Sequence, residues 1–226
     1  MHLEFALLEV VPRAAAAVRA LRRNPAVRGD AVGILGSGNA TWIRRLVAAS
    51  DPKLAFLIAL SGGPAGLAEQ ELHRRKQILA ADDYDPANVE RGGSAVWLYL
   101  EYLRSDGKRR AENLHEDYRR YRWEPWFPLL GLPKEDPTVS EWPETRGHLA
   151  AGLRYDPILS FAALRLPVLA LLGSEDRVLP APAAARLYQG LRKTKVTVQV
   201  IEGADRELRR HDDPGRIIPG REFRAN

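Results

Sequence analysis

Val32-Gly33-Ile34-Leu35-Gly36-Ser37-Gly38-Asn39-Ala40-Thr41-Trp42 is the stretch on which the fold turns. Residues 31–36 are a short apolar run, long enough for a buried strand. Small residues follow, and residues 39–50 then carry Ile43, Leu46 and Val47 on one helical face. A strand that ends in a Gly-rich turn and opens a helix has two chemical readings. A phosphate loop requires G-x-x-x-x-G-K-[ST] or G-x-G-x-x-G. Here no Lys follows the glycines and no Gly stands three positions past Gly38, which argues against a nucleotide site. A nucleophile elbow requires small residues two before and two after its apex, because the turn is tight and strained. Centring on Ser37 gives Leu35 and Asn39 as flanks, whereas centring on position 38 gives Gly36 and Ala40. The spacing therefore sets the apex at Gly38, which has no side chain to act as nucleophile.

Three further apolar runs read as strands. They are residues 54–60, closed by Ser61-Gly62-Gly63-Pro64; residues 166–172, closed by Gly173; and residues 196–201. Helical patterns at 12–23, 39–50 and 182–191 alternate with them. The expectation is an α/β fold: a short, mostly parallel sheet of about four strands, flanked by helices and covered on both faces. Residues 66–154 interrupt this alternation with helical patterns at about 66–80, 86–105 and 108–122, then a proline-rich stretch from Glu124 to Pro143. They read as a helical cap insertion, with residues 1–65 and 155–210 forming the core and 211–226 a loosely ordered tail. The cap holds most of the aromatic residues. Trp97, Tyr99, Trp123, Trp126 and Phe127 are expected to pack its helices onto the sheet.

The chain has 226 residues and is 45% hydrophobic and 28% charged, ordinary for a globular protein. No run of 18 apolar residues occurs, so no membrane-spanning helix is expected. Glu4 and Glu9 interrupt the start, which argues against a secretory signal. Cysteine is absent, which excludes disulfides, thiolate metal sites and cysteine nucleophiles. A cytoplasmic protein is the simplest expectation. The net charge is +5, and 28 of the 34 basic residues are Arg. They fall in scattered pairs such as Arg74-Arg75 and Arg119-Arg120, with no dense stripe and no recognition motif, which argues against nucleic acid as a partner. His73, His115 and His148 lack metal-ligand spacing and read as surface or satisfied polar residues. No metal and no cofactor is expected.

With these residues in view, the chain resembles the α/β-hydrolase superfamily, in the branch of dienelactone hydrolases and prolyl-oligopeptidase-like serine hydrolases. Residues 32–42 are similar to that family's strand–elbow–helix segment, which typically reads V-G-L-x-G-x-S-x-G-G-W. Leu54 to Gly62 resembles the following strand. Pro167 to Pro180, with Leu172-Gly173-Ser174-Glu175-Asp176, is similar to the segment carrying the triad acid and puts Asp176 at the acid position. Val196 to Asp205 resembles the approach to the catalytic histidine, and the same register puts Arg206 where that histidine belongs.

The resemblance implies three departures. The nucleophile position is Gly38, the histidine position is Arg206, and the family's first strands, whose loop supplies one oxyanion N–H, have no counterpart here. The N–H of Asn39 is left as the other oxyanion donor. A general base contributes about 10²–10⁴ in rate, and losing a triad member leaves only a residual of about 10³–10⁴ over water. The expectation is a catalytically impaired hydrolase-like protein. The alternatives are a non-catalytic ligand- or partner-binding module, and an active ester or peptide hydrolase using Ser37, Asp176 and His211 as surrogates. If the loop keeps the family's path, the Arg206 guanidinium faces the Asp176 carboxylate in a bidentate pair. The strand at 31–36 is expected to have an open edge. Residues 2–8, a second copy in a homodimer, or a complementary N-terminal half are candidates to cover it. A small-molecule or peptide ligand is expected in the cap cleft.

Overall fold

The computed structural model describes residues 11–38, 40–42, 47, 51, 53–139 and 144–210. The first described element is α1 (Val11–Arg23), whose Val18 is buried. Strand β1 (Ile34–Ser37) leads into the elbow, helical backbone follows at 40–42, and β2 (Leu57–Leu60) comes next. The cap contains α2 (Leu67–Ala81), α3 (Pro86–Arg104), α4 (Ala111–Tyr121) and α5 (Glu144–Arg154). The chain returns through α6 (Pro157–Ala162) to β3 (Val168–Gly173), α7 (Ala181–Gln189) and β4 (Val196–Ile201). Local chemistry sets several of these boundaries. Asp85 accepts the N–H of Asn88 and Pro86 opens α3; Asp156 and Pro157 do the same for α6. Each pair satisfies an orphan donor and pre-sets the first helical φ.

Among the described residues four strands form one parallel sheet in sequence order, β1-β2-β3-β4. This is the α/β architecture expected from the alternating apolar runs, and β4 occupies the residues read from the sequence. Ile34, Leu57, Ala59, Val168, Ala170 and Leu172 point to one face and are buried there with Val18, Trp42, Phe161, Ala184 and Tyr188. Burying a large side chain of this kind contributes about 1.5–3 kcal/mol relative to exposure. A second hydrophobic cluster lies in the cap, around Leu79, Leu103, Leu114, Tyr118, Trp126 and Leu130.

The opposite face of the sheet departs from expectation. Its rows are Leu35–Ile58–Leu169–Thr197 and Ser37–Leu60–Leu171–Gln199. The outer members are exposed, and Ile58, Leu60, Leu169 and Leu171 are only half-buried. None of the eight joins either cluster of the described residues. A run of apolar residues implies burial on both faces, but coverage depends on which elements return over each face, and here the described helices favour one. Among the described residues no helix is long and apolar enough to cross a membrane.

Candidate functional site

The carboxyl ends of parallel strands are where open α/β sheets gather their ligands. At that end of β1, Gly38 turns the chain with φ +53°, a left-handed conformation that suits glycine. Its N–H donates to Leu60 O at 2.9 Å. Its carbonyl accepts the Thr41 N–H at 3.1 Å and the Thr41 hydroxyl at 2.5 Å. Beside it the Ser61–Pro64 loop is fixed by Trp42 Nε1, which donates to Gly63 O at 2.8 Å, and by the Tyr188 hydroxyl, which donates to Gly62 O at 3.0 Å. Burial pushes the Tyr188 phenol upward, which keeps it in the protonated, donating form.

The loops after β3 and β4 are bound to each other. Ser174 N–H donates to Ile201 O at 3.1 Å, Glu175 N–H to Ala204 O at 2.9 Å, and Gly203 N–H to Ser174 Oγ at 2.9 Å. The contact is so close that a Cβ at Gly173 would lie 2.1 Å from Asp205 O. Asp205 in turn closes the second loop. Burial pushes its carboxyl up, but the backbone and guanidinium of Arg209 and the N–H of Glu207 outweigh that and hold it below the usual carboxylate range. This stitching presents Asp176 and Arg206 together.

Asp176 is 4% exposed. Its Oδ1 accepts the N–H groups of Val178 and Leu179 at 2.8 and 2.9 Å. Arg206 Nη1 lies 3.4 Å from both carboxylate oxygens. The contact expected from the sequence is therefore made, but by one nitrogen rather than by a two-nitrogen fork. The same guanidinium lies over the elbow. A Cβ built on Gly38 would sit 2.5 Å from Arg206 Nη2 and 3.4 Å from its Cζ. Glycine at 38 and arginine at 206 are thus sterically matched: the cation occupies the space that a side chain at the apex would enter.

Ser37, on β1, is exposed. Asn39 and His211 lie outside the described residues, as do residues 2–8 and the side chain of His148. His73, read from the sequence as a surface or satisfied polar residue, has a partner at this site, and Ser61 escaped the sequence reading. His73, on α2, lies with Nε2 3.1 Å from the backbone carbonyl of Asp176, and so joins the cap to the acid loop. A cavity of about 410 Å3 opens there, lined by His73, Gln77, Ser174, Glu175 and Arg177 among others. Ser61, at the end of β2, is fully buried, has φ +42°, and its hydroxyl has no hydrogen-bond partner among the described residues. A serine in that conformation is strained. Its one sequence signal is its place before Gly62-Gly63-Pro64.

Elsewhere in the cap, His115 Nδ1 pairs with Asp136 Oδ2 at 2.5 Å. Trp126 and Phe127 are buried as expected, but in the cap's own cluster rather than against the sheet, and Trp97 and Trp123 are 40% and 82% exposed. Both lie under guanidinium groups, Arg110 over Trp97 at 5.2 Å and Arg122 over Trp123 at 4.7 Å. Cation–π contact satisfies an aromatic face without burying it.

The sequence matches no protein-family model and no curated protein. Solved structures with a similar chain course include acetyl xylan esterase 1 from Thermoanaerobacterium sp., at 15% identity and a TM-score of 0.42 over 90% of this chain and 49% of that one. An esterase from Pyrococcus furiosus is 12% identical with a TM-score of 0.46, over 89% and 56% of the two chains. The 2,6-dihydroxy-pseudo-oxynicotine hydrolase is 18% identical with a TM-score of 0.47, over 88% and 40%. The chain thus spans about half the length of the acetyl xylan esterase it matches.

Proposed function

We propose that this is an α/β-hydrolase-like protein that does not hydrolyse esters or peptides at its elbow and instead uses the sheet's carboxyl end for binding. One observation carries the reading: the Arg206 guanidinium pairs with Asp176 and fills the space that a Cβ on Gly38 would enter. A guanidinium there cannot take a proton from a nucleophile, because it presents only donors and no acceptor. A serine introduced at 38 would meet Nη2 before it met any base. The pairing also favours a structural use of Asp176, whose side chain is 1% exposed.

The test is ester hydrolysis with a panel of short p-nitrophenyl esters, alongside labelling by a fluorophosphonate. Turnover no greater than that of buffer, with no labelling, is expected of the native chain. Labelling at Ser37 would overturn the reading in favour of an active hydrolase. The double substitution Gly38→Ser with Arg206→His removes both the steric and the proton-transfer block. Hydrolysis gained by the double variant and by neither single one would tie the inactivity to this pair.

A further inference from the structure

The two edges of the sheet are finished differently. At the β4 edge, Lys193, Lys195, Thr197 and Gln199 are exposed along the strand and its approach. Charged and polar side chains are how an edge strand discourages further pairing. At the β1 edge no charged residue stands between Asp30 and Arg44. Leu35 is 48% exposed and Phe56 is 39% exposed. The Phe56 ring fills the space that a Cβ on Gly33 would enter, so the two side chains flank one strip. In composition β1 is an interior strand.

Its backbone is also only half used. Val32 O accepts from Ala55 N–H at 2.9 Å, Ile34 N–H donates to Phe56 O at 3.1 Å, and Gly38 N–H donates to Leu60 O at 2.9 Å. These residues turn their polar groups to β2. Alternation turns those of Gly33, Leu35 and Ser37 the other way, and they take no partner among the described residues. Such a row is a template for another strand. The row is complementary to itself. An antiparallel copy centred on Leu35 sets Leu35 against its own counterpart and Gly33 against Ser37, so every outward donor meets an outward acceptor. A twofold contact of this kind closes on itself, whereas pairing β1 to the β4 edge of a copy would leave open ends and set apolar side chains against lysines. The twofold arrangement also continues the Leu35–Ile58–Leu169 row, half-covered in one copy, across the axis.

We propose that β1 is an interface between two copies of this chain, joined antiparallel about a twofold axis at Leu35 into one continuous sheet. The seam is short and covers less than the about 800 Å2 per partner of a stable complex. The association is accordingly weak, with a dissociation constant of about 100 μM. The inference does not depend on whether the elbow hydrolyses esters.

The test is sedimentation velocity of the full chain between about 20 μM and 1 mM, where a monomer should give way to a dimer. Leu35→Lys sets like charges against each other at the axis and should leave a monomer throughout. Thr197→Lys makes the same change in the same row at the opposite edge and should dimerise like the native chain. The register has two readouts of its own. Amide exchange at Leu35 and Ser37 should be about fourfold slower at 1 mM than at 20 μM. The chain has no cysteine, so Leu35→Cys should give a disulfide-linked dimer on mild oxidation, the paired Cα atoms being about 5.5 Å apart, and Thr197→Cys should not. Circular dichroism and a cooperative melt verify that each variant folds; should Leu35→Lys not fold, amide exchange in the native chain decides. Sedimentation independent of concentration, or a dimer that Thr197→Lys abolishes and Leu35→Lys spares, would overturn the proposal. So would Leu35 and Ser37 amides that are equally slow at every concentration, which would mean that a segment of the same chain covers the edge.

Discussion

Two nearly buried aspartates, one at the end of the sheet and one in the cap, are built on the same local plan. Asp176 is 4% exposed and Asp136 is 8% exposed. In each, Oδ1 takes donors two or three residues ahead: Val178 and Leu179 N–H for Asp176, and the N–H and hydroxyl of Thr138 for Asp136. In each, Oδ2 meets a basic side chain. For Asp136 it is the imidazole of His115, and for Asp176 the guanidinium of Arg206. Among the described residues the acid–imidazole pair stands in the cap, and the acid beside the elbow meets a guanidinium instead. Such a pair is recognised as catalytic by what stands beyond it, not by its own geometry. In the cap it ties α4 to the proline-rich stretch.

The contrast can be broken most severely at Asp176. Asp176→Ala strands the Arg206 charge and two backbone donors, and should cost about 2–4 kcal/mol in urea unfolding. A loss below about 0.5 kcal/mol would mean that the carboxylate does not organise the loop. Asp136→Ala removes the equivalent centre of the cap and should cost about 1–3 kcal/mol. Its effect should appear first as faster amide exchange in α4, the helix that carries His115. The two sites also differ in pH response. Burial pushes the Asp136 carboxyl up, but Thr138 and His115 outweigh it and hold the group below its usual range. A group lowered on folding stabilises fully above its unfolded pKa of about 3.9 and loses that contribution as pH falls through the folded value. The melting temperature of the native chain should therefore fall more between pH 5 and about pH 2 than that of Asp136→Asn. Parallel curves would remove Asp136 from the acid limb. The smallest effect is expected at His115, whose side chain is 42% exposed. His115→Gln should cost less than about 1 kcal/mol at pH 7 by thermal melt.

The sequence made the sheet legible and its surroundings less so. Four apolar runs closed by glycine or serine turns identify β1 to β4, because a parallel strand announces itself by composition alone. The same runs gave no warning that Leu35, Ile58, Leu169 and Thr197 would form a half-covered row, since that depends on which helices return. Asp176 and Arg206 were found together through the register of a resemblance. His73 was read as a surface or satisfied polar residue, but its partner could not be named, because a backbone carbonyl 103 residues away leaves no spacing signal. Ser61 was read as part of a turn; neither its positive φ nor its unpaired hydroxyl is written in a one-dimensional pattern. Trp97 and Trp123 misled in the other direction. Their size suggested burial, whereas neighbouring arginines let them remain outside.

The position of the cap between β2 and β3 has a consequence for how the chain assembles. Joining β1 to β2 closes a loop of about twenty residues, but joining β2 to β3 closes one of about a hundred, an added entropic cost of about 1.4 kcal/mol for a flexible connection. The cap has a hydrophobic cluster of its own, so its prior collapse would shorten that span before the strands meet. The insertion then serves as the tether that delivers the second half of the sheet to the first, and weakening Leu103 or Leu114 should slow refolding even though neither residue is part of the sheet.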